Sequence, residues 1–167
     1  PELSGLTFSN NSINGVAFGQ GTLSTRTWRS LGVPYYLTGS QTVAAGATLR
    51  VEPGVTVIAD GNYRILVNGR LEAVGGPGTE ITFTSSDPTP GAWQGLSFLG
   101  AVGQQATGAL DYVIVEYGGG CGTCANIRTY MAQVNIAHSQ IRDSSTAGVL
   151  ASSQSAAGLA ISASSFS

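Results

Sequence analysis

Short apolar runs recur along the chain at a nearly constant spacing. Apolar residues take equivalent positions in the segments 110–117, 134–141 and 159–166, at steps of 24 and 25 residues. A fixed period in this range is typical of a solenoid, in which each repeat buries its apolar face against its neighbours. We call residues that share a position in successive repeats a column. The predicted columns are Leu110, Val134 and Leu159; Tyr112, Ile136 and Ile161; and Tyr117, Ile141 and Phe166.

The apolar runs have the character of strands rather than helices. They are short, contain many β-branched residues, and are bounded by Gly, Pro, Asn or Asp. The Asn68-Gly69 pair is typical of a hairpin turn, so a local hairpin is an alternative there. A helical coil of parallel strands, in contrast, directly explains why the apolar columns recur every 24 to 25 residues. We predict strands over 47–52, 55–58, 64–68, 70–74, 79–84, 94–98, 110–117, 134–141 and 159–166.

The same alignment predicts the corners between strands. Asn and Asp tolerate left-handed backbone conformations, and Gly adopts them at little steric cost, so both suit a bend that recurs in every coil. The sets that align at corners are His138, Ala163 and Gly5; Asp143 and Asn10; and Gly148 and Gly15, which are followed by Val149 and Val16.

The end of the chain resembles its beginning, which predicts that the two ends can continue one another. The matched residues are Ile161 with Leu3 and Phe166 with Phe8. Natural solenoids usually carry polar or irregular caps, and no cap is visible over 159–167. Two arrangements fit: tandem copies in one polypeptide, or separate subunits that self-associate head to tail through strand edges and apolar columns.

Residues 19–40 interrupt the period, so we predict an irregular segment packed on the flank of the solenoid. It contains Trp28, Tyr35 and Tyr36. Such rings more often cover apolar surface than bind a ligand, although exposed aromatic rings on a flank can also contact sugars. These three residues are therefore the candidate glycan contacts.

Composition narrows the class of protein. The length of 167 residues fits one domain spanning 1–167, and 42% of residues are apolar. Only 10% of residues are charged, none is Lys, and the net charge is -2. The sequence therefore shows no basic cluster of the kind that binds nucleic acid or an anionic membrane. No apolar run approaches the length of about 18 residues that a membrane span needs.

Five segments carry a resemblance to a known family. They are AGATLRVEPG (45–54), LVNGRLEAVG (66–75), TEITFTSS (79–86), GAWQGLSF (91–98) and LDYVIVEYGGG (110–120). Together they resemble the right-handed parallel β-helix repeats of secreted and cell-surface bacterial proteins in the pectate-lyase-like superfamily. The resemblance implies an all-β fold, a single right-handed parallel β-helix of about seven coils, and an extracellular setting. It does not fix an activity, because this fold hosts lyases, hydrolases, adhesins and stalks.

Glycan-cleaving enzymes of this fold need clustered carboxylates, as acid and base or as calcium ligands. On the predicted alignment Asp111 lies over Asn135 and Glu116 lies over Gln140, so no aligned column places two acids in successive coils. We therefore predict no catalytic residues, no metal and no cofactor. A solvated turn is a better interpretation of Asp111 and Asn135 than a weak calcium site.

Cys121 and Cys124 form the most distinctive local motif of the sequence, Cys-Gly-Thr-Cys. Redox-active pairs of this spacing sit at a helix N-terminus, and no helix pattern follows here. Zinc needs about four ligands, and the only His is His138, which we expect at an exposed corner. A local disulfide is the favoured interpretation, ahead of intermolecular bridges, free thiols or metal, and it fits an oxidising extracellular compartment.

The sequence thus predicts an extracellular structural or adhesive protein, a β-helical rod, stalk or filament subunit. The alternative is a module that binds or cleaves carbohydrate with the flank near Trp28, Tyr35 and Tyr36. Ice binding by a flat Thr/Ser face is a more distant option, because Thr-x-Thr occurs only as isolated pairs at 25–27 and 82–84.

Overall fold

The computed structural model describes residues 8–152 and 158–167, which form a right-handed parallel β-helix. Every coil contributes one strand to each of three parallel sheets, and the crossover from one strand to its parallel neighbour is right-handed. Six coils are complete, and the first strand of a seventh follows. This confirms the predicted fold class. Within the described ranges, no helix has the length and hydropathy needed to cross a bilayer.

The strands follow one another around the three sheets in chain order. The first sheet contains β1 (Val16–Phe18), β4 (Tyr35–Leu37), β7 (Thr56–Ala59), β10 (Ile81–Ser85), β13 (Val113–Glu116), β16 (Gln140–Arg142) and β19 (Ser165–Phe166). The second contains β2 (Gly21–Leu23), β5 (Gln41–Val43), β8 (Arg64–Val67), β11 (Gly95–Leu99), β14 (Ile127–Tyr130) and β17 (Val149–Ala151). The third contains β3 (Arg26–Trp28), β6 (Thr48–Val51), β9 (Arg70–Val74), β12 (Ala106–Asp111), β15 (Ala132–Ala137) and β18 (Leu159–Ser162).

The core fills the inside of the coil with columns of apolar side chains. Successive side chains of a strand point to opposite faces, so alternate residues face inward, as in the buried-and-half-buried alternation of Thr56–Ala59. The first-sheet inner column runs Val16, Tyr35, Val57, Phe83, Val115, Ile141 and Phe166.

The predicted register is correct for the last two repeats and wrong by two residues for the one before. Val134 pairs with Leu159 and Ile141 with Phe166, as predicted. Ile136, however, pairs with Leu110 rather than Tyr112, and Ile141 pairs with Val115 rather than Tyr117. A shift of two residues keeps the same side chains facing inward, so the apolar pattern could not reveal it.

Left-handed residues mark the corners, and several were predicted. Asn10 and Asp143 have φ of 59° and 54°, and His138 and Ala163 both have φ of 46°. Tyr112 (φ 49°) and Tyr117 (φ 62°) are corner residues too, so their predicted place in inner columns is wrong. Gly5 lies outside the described residues.

Val16 and Val149 are not equivalent, because they lie in the first and second sheets respectively. Residues 19–40 are also more regular than predicted: β2, β3 and β4 fall there, and the longest stretch without a strand is the corner over 29–34.

The Asn68-Gly69 pair turns a corner between β8 and β9, which belong to different sheets, so the hairpin alternative is wrong. A Cβ on Gly69 would lie 2.2 Å from the Ala44 carbonyl oxygen and 2.3 Å from that of Ala47. The neighbouring coil passes too close for any side chain at this position.

Candidate functional site

Among the residues that the structure describes, none covers the inner columns at the C-terminal end of the β-helix. We define the C-terminal end face as Val149, Leu159, Ile161 and Phe166. Ile161 is 42% exposed and Phe166 49% exposed, whereas Ile136, one coil earlier in the same column as Ile161, is 1% exposed. The side chains are of the same kind, so their exposure follows from having a coil on only one side.

The strand edges at this end are unpaired as well. Among the described residues, β17, β18 and β19 are the last members of their sheets and each has a neighbour on one side only. Their free N–H and C=O groups form a template on which a further strand can pair. The predicted assembly residues Ile161 and Phe166 therefore lie together on an open face. Of their predicted counterparts, Leu3 lies outside the described residues, and Phe8 is half-buried and outside any strand.

Aromatic rings fill the N-terminal end. Phe18, Trp28 and Tyr35 stack with ring centroids 5.4 to 5.8 Å apart and nearly parallel planes. The Tyr35 hydroxyl donates to the Arg29 carbonyl oxygen at 2.8 Å, and burial raises the pKa of Tyr35. An open cavity of about 340 Å³ lies beside this stack, between β1 and β3.

This arrangement corrects the predicted glycan contacts. Trp28 and Tyr35 are buried core residues, because both occupy inward positions of their strands. Tyr36 alone keeps an outward position, where it is half-buried. Phe18, the third ring of the stack, was not singled out in the sequence, although its two-residue spacing from Val16 is the signal of an inward position.

The predicted disulfide joins Cys121 and Cys124. It lies in the corner loop over 118–126, to which neighbouring corner loops bond. Gly118 O accepts hydrogen bonds from the Gly91 and Ser145 amides, each at 3.0 Å, and Gly120 N donates to the Trp93 carbonyl at 2.8 Å. The disulfide therefore lies in a loop whose hydrogen bonds connect three successive coils.

Two ion pairs that share Glu72 lie on the outer face of the third sheet. Glu72 accepts hydrogen bonds from Arg50 and Arg70, both at 2.7 Å. The Arg70 hydrogen bond is the main reason why the pKa of Glu72 lies below its ordinary value. At the adjacent corner, His138 Nδ1 lies 2.9 Å from Asp111 Oδ1, and the His138 ring stacks on Tyr112 with centroids 4.8 Å apart.

Asp111 and Glu116 do not have the neighbours in the next coil that the sequence predicted. Asp111 lies beside Ala137 and not Asn135, so the predicted neighbours of a calcium site are not brought together. Glu116 is also displaced from its predicted neighbour: it lies beside Arg142, accepts from its Nε at 2.8 Å, and accepts from Thr84 Oγ1 at 2.8 Å. In the described part of the chain, no three His, Cys, Asp or Glu side chains are grouped to hold a metal ion.

The fold defines the chain as a three-sheet parallel β-helix, and comparison with known families agrees. A family model, the pectate-lyase-like beta helix domain, matches residues 21–123. The chain belongs to this family. No curated protein and no solved structure shows significant similarity to it.

Proposed function

We propose that this chain is a non-catalytic, extracellular structural module, a β-helical rod that is extended by a further coil stacked on its C-terminal end face. The single observation that carries the proposal is the exposure of Ile161 and Phe166 at the end of continuous inner columns. Full burial of such a side chain stabilises by about 1.5–3 kcal/mol. The stacked coil can come from a tandem copy or from a separate subunit.

The hydrogen bonds of the acidic residues support a structural role over a catalytic one. Glu72, Asp111 and Glu116 each bond a basic side chain of their own or a neighbouring coil. Such contacts stabilise the stack, and they account for these three carboxylates without a catalytic role. Carbohydrate binding by the predicted flank has less support, since Tyr36 is the one candidate ring left at the surface there.

The disulfide supports the extracellular part of the proposal. Disulfides persist in oxidising compartments and are rare in the reducing cytosol, and Cys121 and Cys124 are paired.

The test is a concentration series of the 167-residue chain, measured by sedimentation velocity and negative-stain electron microscopy. We expect end-to-end assemblies that the double variant Ile161→Asp/Phe166→Asp abolishes, because charges on the end face oppose burial. The matched control is Val102→Asp, which places a charge on a side chain 90% exposed in a remote turn and should leave assembly unchanged. Equal assembly of all three chains, or none by the unaltered chain, would count against the proposal.

A further inference from the structure

We propose that the C-terminal end face of one copy binds the N-terminal end of a second copy, head to tail, with Phe166 beside Val16 of that copy. This inference rests on the proposed function, since it names the partner that stacks on the end face. It also replaces the sequence-based pairing of Phe166 with Phe8, because Phe8 lies outside the strands.

The inner columns define the register of such a contact. Phe166 ends the first-sheet column that begins at Val16. Ile161 ends the third-sheet column that begins at Trp28. A second copy placed one coil further along the same axis therefore sets Phe166 against Val16 and Ile161 against Trp28.

Side-chain sizes at the two ends are complementary in the second sheet. Its two inner columns run from Gly21 to Val149 and from Leu23 to Ala151. Head-to-tail stacking places the larger Val149 against Gly21 and the larger Leu23 against Ala151. Large residues that face small ones allow layers to interdigitate without voids or clashes.

The cavity at the N-terminal end gives the Phe166 ring a place to enter. It opens between β1 and β3, and Val16 and Phe18 are among its lining residues. Both are half-buried in a single copy, whereas Leu23 and Trp28 are already buried there. The apolar surface removed from water on docking therefore comes mainly from Val16 and Phe18 at this end and from Ile161 and Phe166 of the incoming end face.

Within residues 8–152 and 158–167, Arg26 is the one charged residue at an inward position of this end, and it pairs with Leu49 in its own copy. In the proposed register it faces Leu159 of the copy whose C-terminal end face is bound. Its side chain is exposed at the rim, so the aliphatic part can pack while the guanidinium stays in water.

The strand edges of the two ends match in number and direction. Each end presents one edge strand of each parallel sheet: β1, β2 and β3 at one end, and β19, β17 and β18 at the other. Stacking along the axis continues all three ladders as parallel pairs. The contact is heterologous and leaves a free copy of each face, so it propagates as an open filament.

Cross-linking between two variants, each with one cysteine added to the native Cys121–Cys124 pair, tests the register. Ser167 directly follows Phe166, and Ala17 directly follows Val16, so the two residues are neighbours in the proposed register. Ser167→Cys of one chain and Ala17→Cys of another would then face outward on adjacent strands, about 4.8 Å apart. That spacing lies within the reach of a disulfide. The control mixes Ala17→Cys with Ser165→Cys, also outward but displaced by two residues, at a separation of about 8 Å that a disulfide does not span.

We expect a covalent dimer from the first mixture under mild oxidation and none from the control. Peptide mass spectrometry identifies the bridge and detects any exchange with Cys121 or Cys124. If the unaltered chain assembles and the end-face double variant does not, yet the first mixture fails to cross-link, the proposed function stands and this register is wrong. If the unaltered chain does not assemble and no bridge forms, both fail.

Discussion

Glu72 shows how a single residue can connect two strands of the outer surface. It lies on β9 beside Arg50 of β6, and it also bonds Arg70, two residues away on its own strand. Opposite charges that face each other across a sheet contribute roughly 0.2–1 kcal/mol. Both arginines are well exposed, with side-chain exposures of 64% and 45%, so solvent screening keeps the gain at the lower part of that range.

The lowered pKa of Glu72 gives this cluster a defined pH dependence. Its contribution to stability is complete above the ordinary pKa of 4.5 and is lost as the pH falls through the lower value of the folded state. We expect Glu72→Gln to lower the free energy of unfolding at pH 7 by up to about 1 kcal/mol, and to have a smaller effect at pH 3. Urea denaturation followed by circular dichroism at the two pH values measures both.

Arg70→Gln, alone and combined with Glu72→Gln, is the matched control. The two effects should fall short of additivity, because either change removes the main hydrogen bond of the pair. Fully additive losses, or an equal loss from Glu72→Gln at both pH values, would contradict this account.

For single residues, the backbone conformation could be predicted from the sequence where the side chain itself favours that conformation. Asn10 and Asp143 adopt the predicted left-handed backbone because their short polar side chains tolerate it. Tyr112 adopts the same conformation, but nothing in its own chemistry favours it. Stacking on His138, one coil away, exists only after the coils have assembled, so it could not be predicted.

Corner loops are the elements that vary most between coils. β15 and β12 are joined to the next strand of the first sheet by one or two residues, whereas the disulfide loop over 118–126 is much longer. Strands and columns could be predicted because alternation and period fix them. Loop lengths and the exact register could not, because a two-residue shift leaves the inward pattern unchanged.

The disulfide should stabilise this loop locally rather than the whole rod. In the chain-entropy model a bridge across so few residues contributes about 2 kcal/mol, and the core columns do not depend on it. We expect Cys121→Ala/Cys124→Ala, or reduction by a dithiol, to speed hydrogen exchange in the loop. The effect should extend to the corners of Gly91 and Ser145, whose amides donate to Gly118.

Exchange in β5 and β6 serves as the internal control, because the hydrogen bonds of Gly118 and Gly120 reach no further toward the N-terminus than Asn62. Their protection should be unchanged. Faster exchange throughout the chain would mean that the disulfide stabilises the entire fold. Unchanged exchange in the loop would mean that the disulfide does not stabilise the loop.

For the whole molecule, stacking in one dimension makes stability depend on position along the axis. Each coil contacts only its neighbours, so a residue in the middle is covered on two sides and a residue at the end on one. Ile65 and Ile161 form a matched pair for this comparison. Ile65 is 0% exposed in an inner column of the second sheet, between Gln41 and Leu96, and Ile161 is 42% exposed on the C-terminal end face.

We therefore expect Ile65→Ala to lower the free energy of unfolding by about 2–5 kcal/mol, the range for a buried large-to-small change, and Ile161→Ala to lower it by well under half as much. Chemical denaturation of dilute chain, below any assembly, measures the intrinsic difference. At concentrations where chains stack, the cost of Ile161→Ala should rise toward that of Ile65→Ala, since a second copy then covers the side chain. A cost of Ile161→Ala that is independent of concentration would show that the end face stays uncovered.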